Sequence, residues 1–307
     1  MRFWVLGNAG VDETMAAAQW PQPGHTIIVG APERDIGGKG ANQALVLRRA
    51  GCAVHLVAPI GADAEGAWIS QELKGEGLEP TDFIVLPRAT DRSLIFVAPD
   101  GENAIASVVG CAASIQPADV DALLCRIERG DALLMQGNLR HDTTEAALAL
   151  AKARGVRTVF NPSPVDIAFR TFWPLVDILV LNREEAGLFV PDAEPEAALR
   201  QLRRDGVGII VLTLGREGAI ALDREGRLHR ASAEPVIAVD TTGAGDSFTG
   251  AFIAAFLGAQ RDLGTSLRAA TKAASITVTR RGTRSAFPTE SELDDILGAS
   301  ARIVAAD

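Results

Sequence analysis

The sequence predicts an α/β protein, a parallel sheet with helices on both faces plus a small separate β-sheet. Three observations carry this prediction. From residue 54 onward, short apolar runs alternate with helix-length stretches, the pattern of strand–helix units joined by right-handed crossovers. Polar motifs stand just after the apolar runs, at the strand ends where ligands gather on such a sheet. Two stretches, about 13–36 and 82–112, are β-rich and helix-poor, so they are assigned to the second sheet. A chain of 307 residues can form one large domain, 1–307, with such an appendage.

Taken in order, Phe3-Trp4-Val5-Leu6 is a first buried strand ended by Gly7. The turn Gly7-Asn8-Ala9-Gly10 lacks G-x-G-x-x-G spacing and opens no helix, which argues against a dinucleotide fingerprint. Thr26-Ile27-Ile28-Val29 is a β run among Pro21, Pro23, Gly24 and Pro32. Gly37-Gly38-Lys39-Gly40 opens a helix running to about Ala50 and stopped by Gly51. It is not a phosphate loop of the Walker type, because Lys39 is followed by Gly40 instead of Ser or Thr. Its adjacent glycines let a ligand approach the backbone. A strand at 54–58 and a helix near 63–76 follow. The second sheet then takes runs 83–86, 93–97 and 104–109, with Pro99-Asp100-Gly101-Glu102 turning between the last two. Alternation resumes with helices near 117–129, 143–154 and 194–205 and strands at 132–135, 156–160, 177–181 and 209–212.

The chemistry centres on Asp240-Thr241-Thr242-Gly243-Ala244-Gly245-Asp246. The β-branched run 236–239 before it reads as a strand end, and the Ala-rich run 248–257 after it reads as a buried helix. A glycine-bracketed turn between them aims free backbone N–H groups, and the helix dipole, at one point. Asp246 at its mouth either takes a proton from an incoming hydroxyl or caps the helix. Asn182-x-x-Glu185 after an apolar strand reads, on its residues alone, as a helix start with acidic residues favourable to the dipole. Thr213-Leu214-Gly215-Arg216-Glu217-Gly218 permits close backbone approach, or is a plain turn.

Residues 240–246 resemble the C-terminal signature of the ribokinase-like (PfkB) carbohydrate kinases. Gly37-Gly38-Lys39-Gly40-Ala41-Asn42-Gln43-Ala44 resembles the family's N-terminal signature in its ribokinase form, and the likeness runs over essentially the whole chain. The resemblance implies that the second sheet is a lid over the sugar and a homodimer contact. It implies transfer of the γ-phosphoryl of ATP to a hydroxymethyl group of a ribose-like pentose. Asp246 would be the base, with the amides of Gly243, Ala244 and Gly245 holding the migrating charge. Asp12, Gly38, Lys39, Asn42 and Asn138 would line the sugar site with Asp246. Asn182, Glu185, Thr213, Gly215 and Gly218 would meet the nucleotide, and the small-residued helix near 267–279 would floor the adenine pocket. Magnesium would sit by Glu185, through water. A monovalent cation, potassium, would sit near Asp240, Thr242, Thr277, Arg280 and Gly282.

The chain departs from that pattern where ribokinases carry Ser and it has Ala286, which bears on the monovalent cation. At the sugar end Gly10 replaces Asn, Asn138 replaces Glu, and Ala112 replaces Asn. These changes predict a roomier, less acidic pocket, filled by a larger furanosyl compound or by replacement groups such as Ser93 or Arg140. A nucleoside or hexose kinase of the same family is the alternative within enzymes. A non-catalytic sugar-binding homologue is the alternative outside them, and the intact Asp246 argues against it.

Composition sets the outer bounds. The net charge of −9 offers no basic surplus for a nucleic-acid partner. Cys52, Cys111 and Cys125 are odd in number and lack CxxC spacing, which argues against zinc or a disulfide framework and for a reducing compartment. Polar Asn8 and Asp12 follow the first strand at once, unlike a signal peptide, and no apolar run approaches membrane-spanning length. A cytoplasmic protein is expected. His25, His55, His141 and His229 read as surface or packing residues.

Overall fold

Side chains along each central strand alternate between two cores, one on either face of the large sheet. Phe3 and Val5 join one core, and Trp4 and Leu6 join the other. Leu134, Val180 and Val211 repeat the first choice, and Leu133, Leu179 and Ile210 the second. Strands buried on both faces therefore read as unbroken apolar runs, as a parallel sheet requires. The computed structural model describes residues 1–20, 22–79, 82–98 and 103–298. The turn expected at 99–102 lies outside the described residues.

The chain begins β1 (Phe3–Leu6), β2 (Gly10–Ala16), β3 (Glu33–Gly37), α1 (Lys39–Arg49), β4 (Val54–Gly61) and α2 (Ala64–Gly75). It continues β5 (Phe83–Leu86), β6 (Asp91–Val97), β7 (Asn103–Val108), α3 (Val120–Leu123), β8 (Ala132–Gln136) and α4 (His141–Ala153). Then come β9 (Arg157–Asn161), β10 (Ile178–Asn182), α5 (Arg183–Phe189), α6 (Pro195–Arg204) and β11 (Ile209–Thr213). Last are β12 (Ala219–Leu222), β13 (Leu228–Ala231), α7 (Ala244–Ile253), α8 (Leu263–Thr277) and α9 (Glu290–Leu297).

The large sheet has the order β13-β12-β11-β10-β9-β8-β1-β4-β5, parallel from β11 through β5 and antiparallel at β12 and β13. Strand order reverses around β1, which has β4 on one side and β8 on the other, so a crevice opens at their carboxyl ends. The chain leaves β1 there and enters the second sheet, ordered β3-β2-β6-β7, which stands over that crevice as a lid.

Four local expectations need correction. Run 83–86 is not in the small sheet, because β5 pairs parallel with β4 after the α2 crossover and closes a βαβ unit. Residues 26–29 form no strand. They make one isolated bridge, Ala17 with Val29, and leave Ile28 93% exposed between Pro23 and Pro32. Run 236–239 is not a strand end either. It has no sheet neighbour, Val239 N donates to the Val278 carbonyl, and Ile237 is exposed. The helix expected at 117–129 is a single 3-10 turn, Pro117–Asp119, followed by the four-residue α3.

Candidate active site

Helix α7 starts at Gly243, whose φ of 74° is the left-handed conformation that glycine adopts without strain. A Cβ there would stand 2.8 Å from Cε1 of Phe287 and 3.3 Å from Cγ2 of Thr283, so the turn is seated closely on the loop before α9. The residues of this turn divide between two cavities. Thr241, Ala244 and Gly245 line one of about 580 Å³. Thr242, Gly243 and Asp246 line the other, of about 470 Å³. One helix N-terminus, with its unpaired amides and partial positive charge, thus separates two ligand-sized spaces.

Asp246 lies in the first turn of α7, 4% exposed. Asn42 Nδ2 donates to its Oδ2 at 2.9 Å, and Gln43 Nε2 donates to its Oδ1 at 2.8 Å. Gln43 is itself held by Gln136 Nε2 at 2.8 Å, and its Nε2 also donates to Asn161 Oδ1 at 3.0 Å. Both donors of Asp246 stand on α1, which packs on α7 where Gly250 removes a side chain. A Cβ at Gly250 would meet Val46 Cβ at 2.7 Å. Gln43 stands in the motif that includes Asn42, and Gln136 and Asn161 stand in polar motifs at strand ends, but no role for the three follows from the sequence. Only the fold brings the three together.

The smaller cavity gathers Asp12, Gly38, Lys39, Asn42 and Asn138 around Asp246. Burial pushes the Asp12 carboxyl up to about 6; hydrogen bonds from Thr283 and Ser93 oppose the rise, and the charges of Asp35 and Asp246 add to it. Asn42 Oδ1 and Asn138 Oδ1 are buried without a hydrogen-bond partner. Two unpaired buried acceptors in a cavity call for hydroxyl donors. Ile105, Val108 and Val109 supply an apolar wall opposite them.

The predicted gain in volume at Gly10 does not occur. A Cβ there would lie 2.7 Å from the Asp91 carbonyl oxygen, so β6 occupies the space. Ala112 is wholly buried, and its N–H donates to Asp91 Oδ2 instead of facing the cavity. Arg140 pairs with Asp142 outside the cavity, whereas Ser93 does line it. The change in the pocket rests on Asn138 alone.

The larger cavity takes in Thr213, Gly215 and Gly218. Gly218 has φ 101°, and a Cβ on it would strike the Ala231 carbonyl at 2.0 Å, so the close approach it permits is to β13. Of the small residues of α8, Ala274 reaches this cavity, while Ala269, Ala270 and Ala273 pack into the core.

Asn182 and Glu185 are outside both linings and bond to each other. Asn182 Oδ1 accepts from Glu185 N, and Glu185 Oε2 accepts from Asn182 N, both at 2.8 Å. This capping box is the helix-start role the sequence allowed. Burial nevertheless pushes the Glu185 carboxyl above its ordinary value; the nearby Lys39 charge opposes this and Asp246 adds to it. Glu185 thus faces the same centre, and Oε1 is not used by the capping box. Among the described residues no group of three or more His, Cys, Asp or Glu could hold a metal.

Asp240 is brought to Thr242 and Gly282, whose amides donate to its two carboxylate oxygens at 2.9 and 3.1 Å. The Thr277 hydroxyl goes to Ser247 and the Arg280 guanidinium to Glu292. Arg280, whose side chain is itself a cation, can join a cation site only through its backbone carbonyl. Ala286 is fully buried.

A family model described as pfkB family carbohydrate kinase matches residues 7–290. The chain is 31% identical to a ribokinase of Haemophilus influenzae over 299 residues, 95% of this chain and 97% of that one. It is similar to the solved ribokinase of Thermotoga maritima, with a TM-score of 0.85 at 27% identity, covering 97% of this chain and 99% of that one. A ribokinase of Arabidopsis thaliana complexed with ribose and ATP gives a TM-score of 0.84 at 25% identity, covering 97% and 98%.

Proposed function

Since the chain belongs to the pfkB family of carbohydrate kinases, we propose that it moves the γ-phosphoryl group of ATP onto a hydroxymethyl group of a ribose-like pentose. The observation that carries this reading is the division of residues 241–246 between two cavities, with Asp246 on the acceptor side. ATP in the larger cavity presents its terminal phosphate to the amides at the start of α7. Asp246 takes the proton of the acceptor hydroxyl as its oxygen bonds to phosphorus and the bond to ADP breaks. Asn42 and Gln43 fix the direction of the carboxylate, and the amides of Gly243, Ala244 and Gly245 hold the charge that moves.

Glu185 would hold magnesium through water, and the ion would offset phosphate charge. Asp240 with backbone carbonyls of Thr242, Thr277, Arg280 and Gly282 would hold potassium near the cradle. A homodimer through the lid is supported by Leu94 and Phe96, which alternation puts on the face opposite Ile95 and Ile105. The cytoplasm is the proposed compartment, in line with three unbridged cysteines.

A second reading, a larger furanoside as acceptor, is favoured by the neutral Asn138, the apolar wall and the cavity of about 470 Å³. Steady-state ATP consumption over pentoses, hexoses, nucleosides and substituted furanosides tests both. The highest specificity constant on ribose supports the first reading, and one on a larger furanoside supports the second. Binding without turnover across the panel would leave a sugar-binding homologue.

A further inference from the structure

Thr283 is 1% exposed, in the loop between α8 and α9, and touches both halves of the proposed centre. Its Oγ1 donates to Asp12 Oδ2 at 3.1 Å, inside the acceptor cavity. Its methyl carbon Cγ2 lies 3.3 Å from where a Cβ on Gly243 would stand, against the turn that holds the migrating charge. Its N–H donates to Asp35 Oδ2 at 3.3 Å. Asp12 and Asp35 are register partners on β2 and β3, so one residue is gripped by two neighbouring lid strands.

The grip is reinforced on both sides. Ser285 N and Oγ donate to the same Asp35 oxygen at 3.1 and 3.2 Å. Gly282 N donates to Asp240, at the other end of the loop. Thr283 thus links the two lid strands to the neighbourhood of Gly243.

Resting on the kinase reading above, we propose that Thr283 is a positioning residue with two separable duties: its hydroxyl aims Asp12 at the acceptor, and its methyl braces Gly243 for phosphoryl transfer. The Thr283 hydroxyl fixes Asp12 Oδ2, and the Ser93 hydroxyl adds a second bond to the same carboxyl. The groups facing Asp12 are Thr283 from the loop, Ser93 from β6, Asp35 from β3 and Asp246 from α7. The two hydroxyls favour its charged form and the two carboxylates disfavour it. Removal of one hydroxyl shifts that balance toward the protonated acid.

The test compares Thr283→Val, which keeps the shape and loses the hydroxyl, with Thr283→Ser, which keeps the hydroxyl and loses the methyl. Thr283→Val raises acceptor KM about tenfold, the scale of a lost bond to a charged group, with kcat within about twofold. It also moves the acid limb of kcat/KM to higher pH. Thr283→Ser keeps acceptor KM and the pH profile near those of the parent and lowers kcat by roughly threefold or more, the scale of a few lost carbon contacts. A residue that merely anchors the loop would lower the melting temperature in both and leave the KM–kcat split absent, and that result overturns the proposal. If the parent phosphorylates nothing on the panel, the kinase reading fails by itself. Titration of the Asp12 carboxyl by carbon-13 NMR then decides this inference. A higher midpoint in Thr283→Val than in the parent and Thr283→Ser supports it, and equal midpoints reject it.

Discussion

Gln43 Nε2 lies 2.8 Å from Asp246 Oδ1, and this bond ties the carboxylate to a buried row of amides running across the sheet. Gln136 at the end of β8 supports Gln43, and Asn161 at the end of β9 shares its donor and anchors on the Val180 carbonyl. The carboxylate is thus aimed from two strands away, and its remaining lone pairs are left for a hydroxyl.

Asp246→Asn keeps that shape and removes the base. Turnover is expected to fall by about two to four orders of magnitude, the usual span for a positioned general base. Acceptor affinity, measured by calorimetry, should change far less. Near-normal turnover in the variant would show that the proton leaves by another route.

Asp12 sets the pH dependence. Its carboxyl is pushed up to about 6 by burial, against an ordinary value of 3.8. Between those values the folded chain holds a proton that the unfolded chain has released, so this group's contribution to stability falls as pH rises through that window. Acceptor binding runs the other way, because the ionised form is the stronger acceptor of hydroxyl hydrogen bonds. Acceptor KM should climb as pH drops below about 6, and Asp12→Asn should remove that climb. A KM flat from pH 5 to 8 in the parent would contradict the assignment.

Cation dependence separates two sites. Excess chelator should abolish turnover, and Glu185→Gln should raise the magnesium concentration needed for half-maximal rate. Potassium is expected to stimulate beyond sodium or tetramethylammonium at equal ionic strength. Equal rates in the three salts would remove Asp240 and Gly282 from any cation role and leave them as a loop clamp.

Gly250→Ala tests the packing that sets the site. Alanine is favoured in a helix by about 1 kcal/mol over glycine. Here its Cβ would stand 2.7 Å from Val46 Cβ, an atom fixed close to the α1 backbone. Overpacking of this kind costs about 1–3 kcal/mol, so the melting temperature should drop despite the better propensity. Because α1 also carries Asn42 and Gln43, kcat should fall more than nucleotide affinity. A stabilised, fully active variant would show that the helices separate freely.

Most of the large sheet was legible because strands such as β8, β10 and β11 are apolar runs ended by a polar motif. The cradle at 240–246 was legible because glycine and aspartate stand at fixed places between an apolar run and a helix. What escaped was long-range. Gln136 and Asn161 stand in strand-end polar motifs, but their link through Gln43 to Asp246 exists only once α1, β8 and β9 meet. The glycines at 37–40 were read as room for a ligand, whereas they mainly give room to the chain itself. A Cβ on Gly37 would strike the Asp12 carboxyl at 2.0 Å, and Cβ atoms on Gly38 and Gly40 would strike the Asn8 carbonyl at 2.8 and 2.7 Å. Run 83–86 was misplaced because four apolar residues carry no mark of which sheet they join.

Residues 241–246 line both cavities and so form a wall that the two share. A compound joining adenosine to a sugar through a run of phosphates would enter both chambers at once. Its second end would then bind at the effective concentration fixed by the tether, not at its bulk concentration. In a competition series graded by the number of phosphates, affinity should peak at one length and fall on either side. The optimal tether becomes a ruler laid across the α7 N-terminus, reading the distance that the phosphoryl group travels.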